Sequence, residues 1–466
     1  MEPTIGLEIH AELKTKTKLF CSSANVPEET RPNVHVCPIC LGHPGTLPVL
    51  NRDAVQHVLR VGVALGGTLA TFAEFDRKSY FYPDIPKGYQ ISEYEHPLVK
   101  GGSLAGISVT RVHLEEDTAR SIHAGGVTLL DFNRSGIPLM ELVTDPVIHS
   151  AEEAVRFARE LQLLLRILGA SDANLEKGEM RLEANISLGT TDAMGTKVEV
   201  KNLNSFRSLE RAIVYELERQ NILLSEGGSV IQETRGWDES REKTFSQRTK
   251  EGSADYRYFP EPDLPKLFLS DTGEWSETTL KASLPELPQE RRARYQSKGF
   301  REPEVELLVT NSNIGAFFDQ TCSFLGENSE TNRLALNYLL TDIMGVLEGH
   351  SIKLEKIDPK SFASLVSLVR EGSLSSRGAK EILATLVVEG GDPGTIAQNR
   401  GLLQSQDREA LAGIVEKVLA LHSSVASEYR AGKKGALEFL VGQAMKESAG
   451  SGNPSILRDL IKEKLR

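Results

Sequence analysis

The sequence predicts an α+β protein, with an antiparallel sheet over residues 1–292, a helical body over 293–400 and a helical tail over 401–466. Three observations carry this. Strict two-residue alternation marks strands early in the chain, as in Thr4–Leu13 and Met180–Leu188. The prolines of FPEPDLP and LPELP, between Asp255 and Pro288, mark a rigid, irregular connection. Beyond it, Ser361–Arg370, Arg377–Val388, Arg408–Leu421 and Gly435–Ser448 carry apolar residues at three-to-four spacing.

In Thr4–Leu13, Ile5, Leu7, Ile9 and Leu13 share one face, and Gly6, Glu8, His10 and Glu12 share the other. Met180–Leu188 sets Leu182, Ala184 and Ile186 against Arg181, Glu183, Asn185 and Ser187. Such strands are half-buried, and their polar faces suit a sheet that lines a cleft. Ser150, with Glu153 three residues on, reads as a capping box opening a helix that Gly169 ends. A second helix is expected from Ser205 to Gln220, and the Gly390-Gly391-Asp392-Pro393 turn divides the helical half. Pro454 starts or precedes a last short helix.

Lys and Arg total 54 against 65 Asp and Glu, so the net charge is −11. A protein held to nucleic acid by a broadly basic surface is disfavoured, although a local patch is not. The last 66 residues, with ten Lys and Arg against eight Asp and Glu, carry the one basic lean. No stretch approaches the ~20 apolar residues of a membrane span. The Met1-Glu2-Pro3-Thr4 start lacks the regions of a signal peptide, and four cysteines make no disulfide framework. A cytoplasmic location is expected.

Glu8 and His10 project from one strand face, and Glu183 with Asn185 repeats the pattern. His113-Leu114-Glu115-Glu116-Asp117 runs three carboxylates together, and Glu141 is an isolated acid in the apolar run Pro138–Leu142. An acid in an apolar strand is costly unless paired or bound to a cation. Carboxylates and an imidazole converging in a cleft suit Mg²⁺, which leaves room for substrate phosphates. The same pattern also arises from solvated strand faces with Lys and Arg partners. Phe75–Asp84 and Lys87-Gly88-Tyr89-Gln90 mix bases with aromatics, which fits either nucleotide binding or the rim of a core. Lys197, Glu199 and Lys201 alternate to one side, where lysines can neutralise phosphate. No Walker or G-x-G-x-x-G loop appears, so any ATP site is of another kind. Cys21, Cys37 and Cys40 are spaced like part of a zinc knuckle, with His43 or His35 as a fourth ligand, or they are reduced thiols of a remnant site.

GLEIH at Gly6–His10, FDRKSYFYPD at Phe75–Asp84, HLEED at His113–Asp117 and DFNRSGIPLMELV at Asp131–Val143 occur in order, followed by RLEANIS at Arg181–Ser187, KNLNSF at Lys201–Phe206 and DYRYFPEPDLP at Asp255–Pro265. Together they resemble the B-subunit family of bacterial tRNA-dependent amidotransferases (GatB). Phe439–Lys446 is similar to that family's YqeY-type tail module.

The resemblance implies a cradle domain like glutamine synthetase. It implies ATP-dependent phosphorylation of Glu misattached to tRNA-Gln, or Asp misattached to tRNA-Asn. Ammonia from the glutaminase activity of an amidase partner (the A-subunit) then displaces the phosphate, with a small C-subunit completing a heterotrimer. It implies that Glu8, His10, Glu116, Glu141 and Glu183 are catalytic and hold Mg²⁺. Glu115 and Asp117 come second, because neighbours on a strand point to opposite faces. Lys78, Lys87 and Lys201 are implied phosphate or carboxylate contacts, and Asn185 and Asn202 are implied to orient substrate or ammonia. Two departures stand out. Zinc-bearing members have C-x-C where this chain has Cys21-Ser22-Ser23, and the lysine-rich turn of the tail is Ala449–Pro454 here. Contact with RNA phosphate is then either weaker here or rests on Arg430, Lys433 and Lys434. A stand-alone carboxylate–amine ligase acting on a small molecule and a non-catalytic tRNA-binding scaffold are the alternatives.

Overall fold

The computed structural model describes residues 1–190, 193–249, 256–269, 273–350, 354–448 and 450–465. Asp255 and Ala449, which bound two of the segments above, lie outside them. The chain forms two compact units, Met1–Pro288 and Gln289–Arg466.

The first unit is built on a ten-stranded sheet. Its main strands are β1 (Glu2–Glu12), β4 (Ile107–Glu116), β5 (Pro138–Thr144), β6 (Met180–Gly189), β7 (Val198–Leu203), β8 (Glu233–Asp238) and β9 (Lys243–Thr249). A separate small sheet contains β2 (Asp76–Ser79) and β3 (Tyr89–Ser92), with Phe259–Pro260 pairing along β2. The large sheet runs β9-β8-β7-β6-β1-β5-β4 and ends in the short strands Val99–Lys100 and Thr68–Leu69. The first strand of the chain is therefore central, antiparallel to β5 on one side and to β6 on the other.

The expected all-antiparallel sheet needs one correction, because β7 and β8 pair in parallel. The reason is the helix Phe206–Ser225 (α3), which carries the chain back so that β8 starts at the same end as β7, as a parallel pair requires. Ser205 caps α3 by accepting from the Ser208 N–H, and the helix ends five residues beyond the expected Gln220. The helix Ala151–Ile167 (α2) likewise joins β5 to β6. Ser150 caps it through the Glu153 N–H, but the Glu153 carboxylate accepts from His149 N–H rather than from Ser150, so the capping box is displaced by one residue. Leu168 is its C-cap, and Gly169 follows at φ 64°.

Alternation gives the sheet two faces. Ile5, Leu7, Ile9, Leu142, Leu182, Ala184, Val198 and Val200 are buried in one core with α2, α3 and the helix Arg52–Ala64. Truncating such a side chain to Ala costs about 2–5 kcal/mol. The other face is polar and open.

The second unit is helical. Helices at Pro359–Arg370, Ser376–Val388, Arg408–Leu421 and Gly435–Glu447 match the periodic segments within two residues at each end, and the last helix, Pro454–Leu465, starts at Pro454. Asp392 accepts from Thr395 N–H and caps a helix starting at Pro393, so the Gly-Gly-Asp-Pro turn also opens a new element. Beyond residue 400, Leu411, Val415, Leu440, Leu457 and Ile461 form an apolar cluster of their own. Among the described residues, no single helix is long and apolar enough to cross a membrane.

Candidate active site

The open face of the sheet supplies a cleft of about 520 Å³. Register explains its contents. Glu8 of β1 faces Glu183 of β6, His10 faces Glu141 of β5, and Glu141 in turn faces His113 of β4. Leu139 pairs with Glu115, so Glu115 lies one two-residue step from His113 on the same face. Residues from four strands thus converge because each is in phase with its neighbour.

Two groups of ligand-type side chains result. His10, Glu115 and Glu141 bring one donor atom each within 4.8 Å of one another, and Glu8, Glu183 and Glu199 do the same. In the first group, His10 Nε2 lies 3.3 Å from Glu141 Oε2 and 3.6 Å from Glu115 Oε1. Burial alone would push the His10 imidazolium down, but the Glu141 charge and hydrogen bond, with Glu115, outweigh it and raise it to about 9. His113 reaches about 9 in the same way, burial opposing and Glu141 with Glu115 prevailing. Burial raises the Glu141 carboxyl, yet the two imidazoles hold it well below its ordinary value. In the second group, burial and then Glu141, Glu183 and Glu199 raise Glu8, while Asn185 Nδ2 donates to it at 2.7 Å. Lys201 Nζ lies 2.8 Å from Glu183 and 3.8 Å from Glu199.

Lys78 extends from β2 into the cleft between Tyr256, 5.0 Å from its Nζ, and Tyr80, at 5.8 Å. Burial opposes its charge, but Glu115 and Glu141 hold it protonated, above the ordinary lysine value. Tyr258 stacks on Tyr94 at 4.3 Å and closes the same wall. The aromatic-basic run is thus divided. Lys78 and Tyr80 line the cleft, whereas Arg77 is held outside it by Glu261 at 2.7 Å and Asp263 at 3.1 Å.

Three expected residues are placed elsewhere. Glu116 is not in the cleft group: one residue out of phase with Glu115, it points through to the other side, pairs with Lys87 and accepts from Ile91 N–H at 2.9 Å. Glu115 stands where Glu116 was expected. Lys87 accordingly lines a separate cavity of about 240 Å³ with Cys21, Cys40 and Gly136. Asn202 is exposed, in the left-handed region at φ 65°, where β7 bulges opposite Glu183. The site includes Arg111 and Glu93, which the motifs did not contain, and His113 and Glu199, which the sequence patterns contained without giving them a role. Arg111, His113 and Glu115 alternate in phase along β4, a signal present in the sequence but obscured by three consecutive acids.

Asp117 anchors a neighbouring network. It pairs with Arg181 and lies 3.4 Å from Arg134. Burial raises it, and the two guanidiniums more than reverse this, to about 2.

The cysteines Cys21, Cys37 and Cys40 do meet, but neither His35 nor His43 joins them, and His35 faces Glu29 at 3.4 Å. The buried Lys18 amine lies 3.7 Å from Cys40 Sγ instead, and Ser23 Oγ lies 3.9 Å away. Three thiols beside an ammonium do not complete the four-ligand set of a structural zinc site.

The chain is similar to known proteins over nearly all of its length. The GatB/GatE catalytic domain model matches residues 3–274, and the GatB domain model matches residues 316–465. The chain belongs to the GatB family. A relative from Thermus thermophilus, named as the B-subunit of aspartyl/glutamyl-tRNA(Asn/Gln) amidotransferase, is 45% identical over all of this chain and 99% of its own length. One of the same name from Geobacillus thermodenitrificans is 44% identical, again over all of this chain and 99% of the relative. A relative from Physcomitrium patens, named as the chloroplastic/mitochondrial B-subunit of glutamyl-tRNA(Gln) amidotransferase, is 42% identical over all of this chain and 85% of its own. The GatB/GatE match spans every strand that lines the cleft, and the GatB domain match takes in the tail.

Proposed function

We propose that the cleft of this GatB-family chain phosphorylates the side-chain carboxylate of Glu misattached to tRNA-Gln, or Asp misattached to tRNA-Asn, with ATP, and delivers ammonia to the activated acyl group. A carboxylate oxygen attacks the γ-phosphorus and the bond to ADP breaks, leaving an acyl phosphate. Ammonia then adds at the acyl carbon and loses a proton, and inorganic phosphate departs. This is amide formation of the glutamine synthetase kind, with its acids and imidazole on the strands of one sheet face. The names of the relatives point to the substrate and to a multi-subunit assembly; an amidase A-subunit and a small C-subunit are the partners proposed.

The observation that carries this reading is the charge balance of the cleft. Seven carboxylates among its described lining residues face four permanent cations, Lys78, Arg111, Arg181 and Lys201. The protons raised onto His10 and His113 offset part of that excess, and a divalent cation that displaced the His10 proton would bring a polyphosphate in with the balance kept. The donor set fits one. His10 Nε2 with one oxygen each of Glu115 and Glu141 would hold Mg²⁺ and leave positions for phosphate oxygens. The ion would neutralise phosphoryl charge. Lys78 and Arg111 add fixed positive charge at the same wall. The wall of Tyr80, Tyr94, Tyr256 and Tyr258 shields the acyl phosphate from water, which would otherwise hydrolyse it. In the tail, exposed Arg430 and Lys434 present charge to tRNA phosphate, beside Lys433, which pairs with Glu428.

The test is amidation of Glu-tRNA-Gln and Asp-tRNA-Asn by this protein with ATP, Mg²⁺ and ammonium chloride, with and without the amidase partner. Conversion with ammonium is expected and would show which tRNA is served. Folded protein that gives none under either condition would be a scaffold or a small-molecule ligase.

A further inference from the structure

The first ligand group has two imidazoles, and they are not equivalent. His10 is 15% exposed at the side chain and opens to the cleft, whereas His113 is 3% exposed and lies behind the carboxylates. His113 Nε2 is 3.4 Å from Glu141 Oε2 and 3.8 Å from Glu115 Oε2, so it addresses the same two carboxylates as His10 from the closed side. Its other nitrogen, Nδ1, is buried and has no hydrogen-bond partner among the described residues.

Behind it sits Glu93, itself 2% exposed. Glu93 Oε2 accepts from Leu114 N–H and Leu98 N–H, both at 3.2 Å, which clamps the carboxyl beside the residue that follows His113. Its second oxygen, Oε1, is likewise buried without a partner among the described residues. A buried polar atom left unpaired costs about 1–3 kcal/mol, so two such atoms at one end of β4 call for an explanation. Glu93 and His113 interact through charge, His113 drawing the Glu93 carboxyl down against the burial that raises it. Nε2, 3.4 Å from Glu141 Oε2, is the nitrogen that addresses the carboxylates.

We propose that His113, backed by Glu93, is a positioning residue that orients Glu115 and Glu141 for a divalent cation held with His10. This rests on the proposed phosphorylation reading. His113 is set apart from the ligands because the donor atoms that converge are those of His10, Glu115 and Glu141. Fixing the oxygens of ligating carboxylates from behind typically changes metal affinity by about 10–100-fold.

The test is Mn²⁺ binding to the full chain in its assembly, without ATP, followed by electron paramagnetic resonance. His113→Ala should weaken Mn²⁺ binding by about tenfold or more. His113→Gln, whose amide nitrogen can reach the Nε2 position, should restore most of it, and His113→Asn, which reaches only the Nδ1 side, should not. Glu93→Ala should show part of the His113→Ala loss. Thermal unfolding of each variant identifies any that fail to fold, and the Gln–Asn difference is read between folded proteins. Unchanged affinity in His113→Ala, or equal loss in Gln and Asn, overturns the inference. Glu141→Gln and His10→Ala serve as controls. If they leave Mn²⁺ binding intact, the cation reading of the cleft fails and this inference fails with it. If they abolish binding while His113→Ala does not, only the positioning role is wrong.

Discussion

Two acidic groups stand two residues apart along β1, and their charge is balanced in different ways. Around Glu115 and Glu141, beside the fixed charge of Lys78 and Arg111, the compensating charge includes the protons on His10 and His113, both raised to about 9. Around Glu8, Glu183 and Glu199 it is the ammonium of Lys201, which Glu183 and Glu199 hold above its ordinary value against the opposing effect of burial. An imidazole can release its proton and offer a lone pair to a metal ion at neutral pH. An ammonium so held cannot. Clustered carboxylates therefore suit a metal ion where the charge that balances them can leave.

The sharpest break would come at Glu141. Glu141→Gln should lower ATP-dependent amidation by about 10³-fold while glutamine hydrolysis by the amidase partner stays largely intact. Equal loss of both activities would point to failed assembly and remove Glu141 from the chemistry. Next comes the phase of β4. Glu115→Gln should cost about 100-fold in amidation and Glu116→Gln less than about tenfold, read as kcat/KM for Glu-tRNA. The reverse order would mean that the strand presents its other face.

The balancing protons make the contrast sensitive to pH. Because the folded-state values of His10 and His113 are raised from 6.5 to about 9, their stabilisation is complete below pH 6.5 and is lost as pH rises through 9. The unfolding midpoint of the metal-free protein should fall across that window, and Mg²⁺ should recover more of it at pH 9 than at pH 6.5. A flat profile in the window would separate the imidazoles from the carboxylates. The smallest effect is expected at Lys201. Lys201→Met should let the second group take a cation, raising bound Mn²⁺ from one to two per chain, with some loss of stability in the metal-free protein. An unchanged count would show that the ammonium is not what closes that group.

Much of this face could be read from alternation, since Glu8, His10, Glu183 and Asn185 follow from period two within single strands. What alternation cannot supply is the phase of one strand relative to another where polar residues run together. Glu115, Glu116 and Asp117 are all acidic, and only the pairing of Leu139 with Glu115 settles which of them meets His10. The parallel β7–β8 pair was hidden for a similar reason, because strand direction follows from where α3 delivers the chain. The helical unit was more legible, since its caps and spacing are local. The cysteine cluster shows the opposite limit. Spacing brought Cys21, Cys37 and Cys40 together, but the buried Lys18 beside them lies three residues before Cys21 and gives no sign of itself in the motif.

The central place of β1 also bears on how the protein is made. β1 leaves the ribosome before its partners at Pro138–Thr144 and Met180–Gly189, and Glu199 arrives later still. Glu8 and His10 must wait through about half of the synthesis of the first unit before either meets a partner strand. Such long-range pairing is slow to form and leaves an unpaired apolar strand open to wrong contacts meanwhile. Synthesis speed over residues 13–138, and any chaperone that covers β1 during it, should then govern the yield of folded chain more than changes in the helical half do.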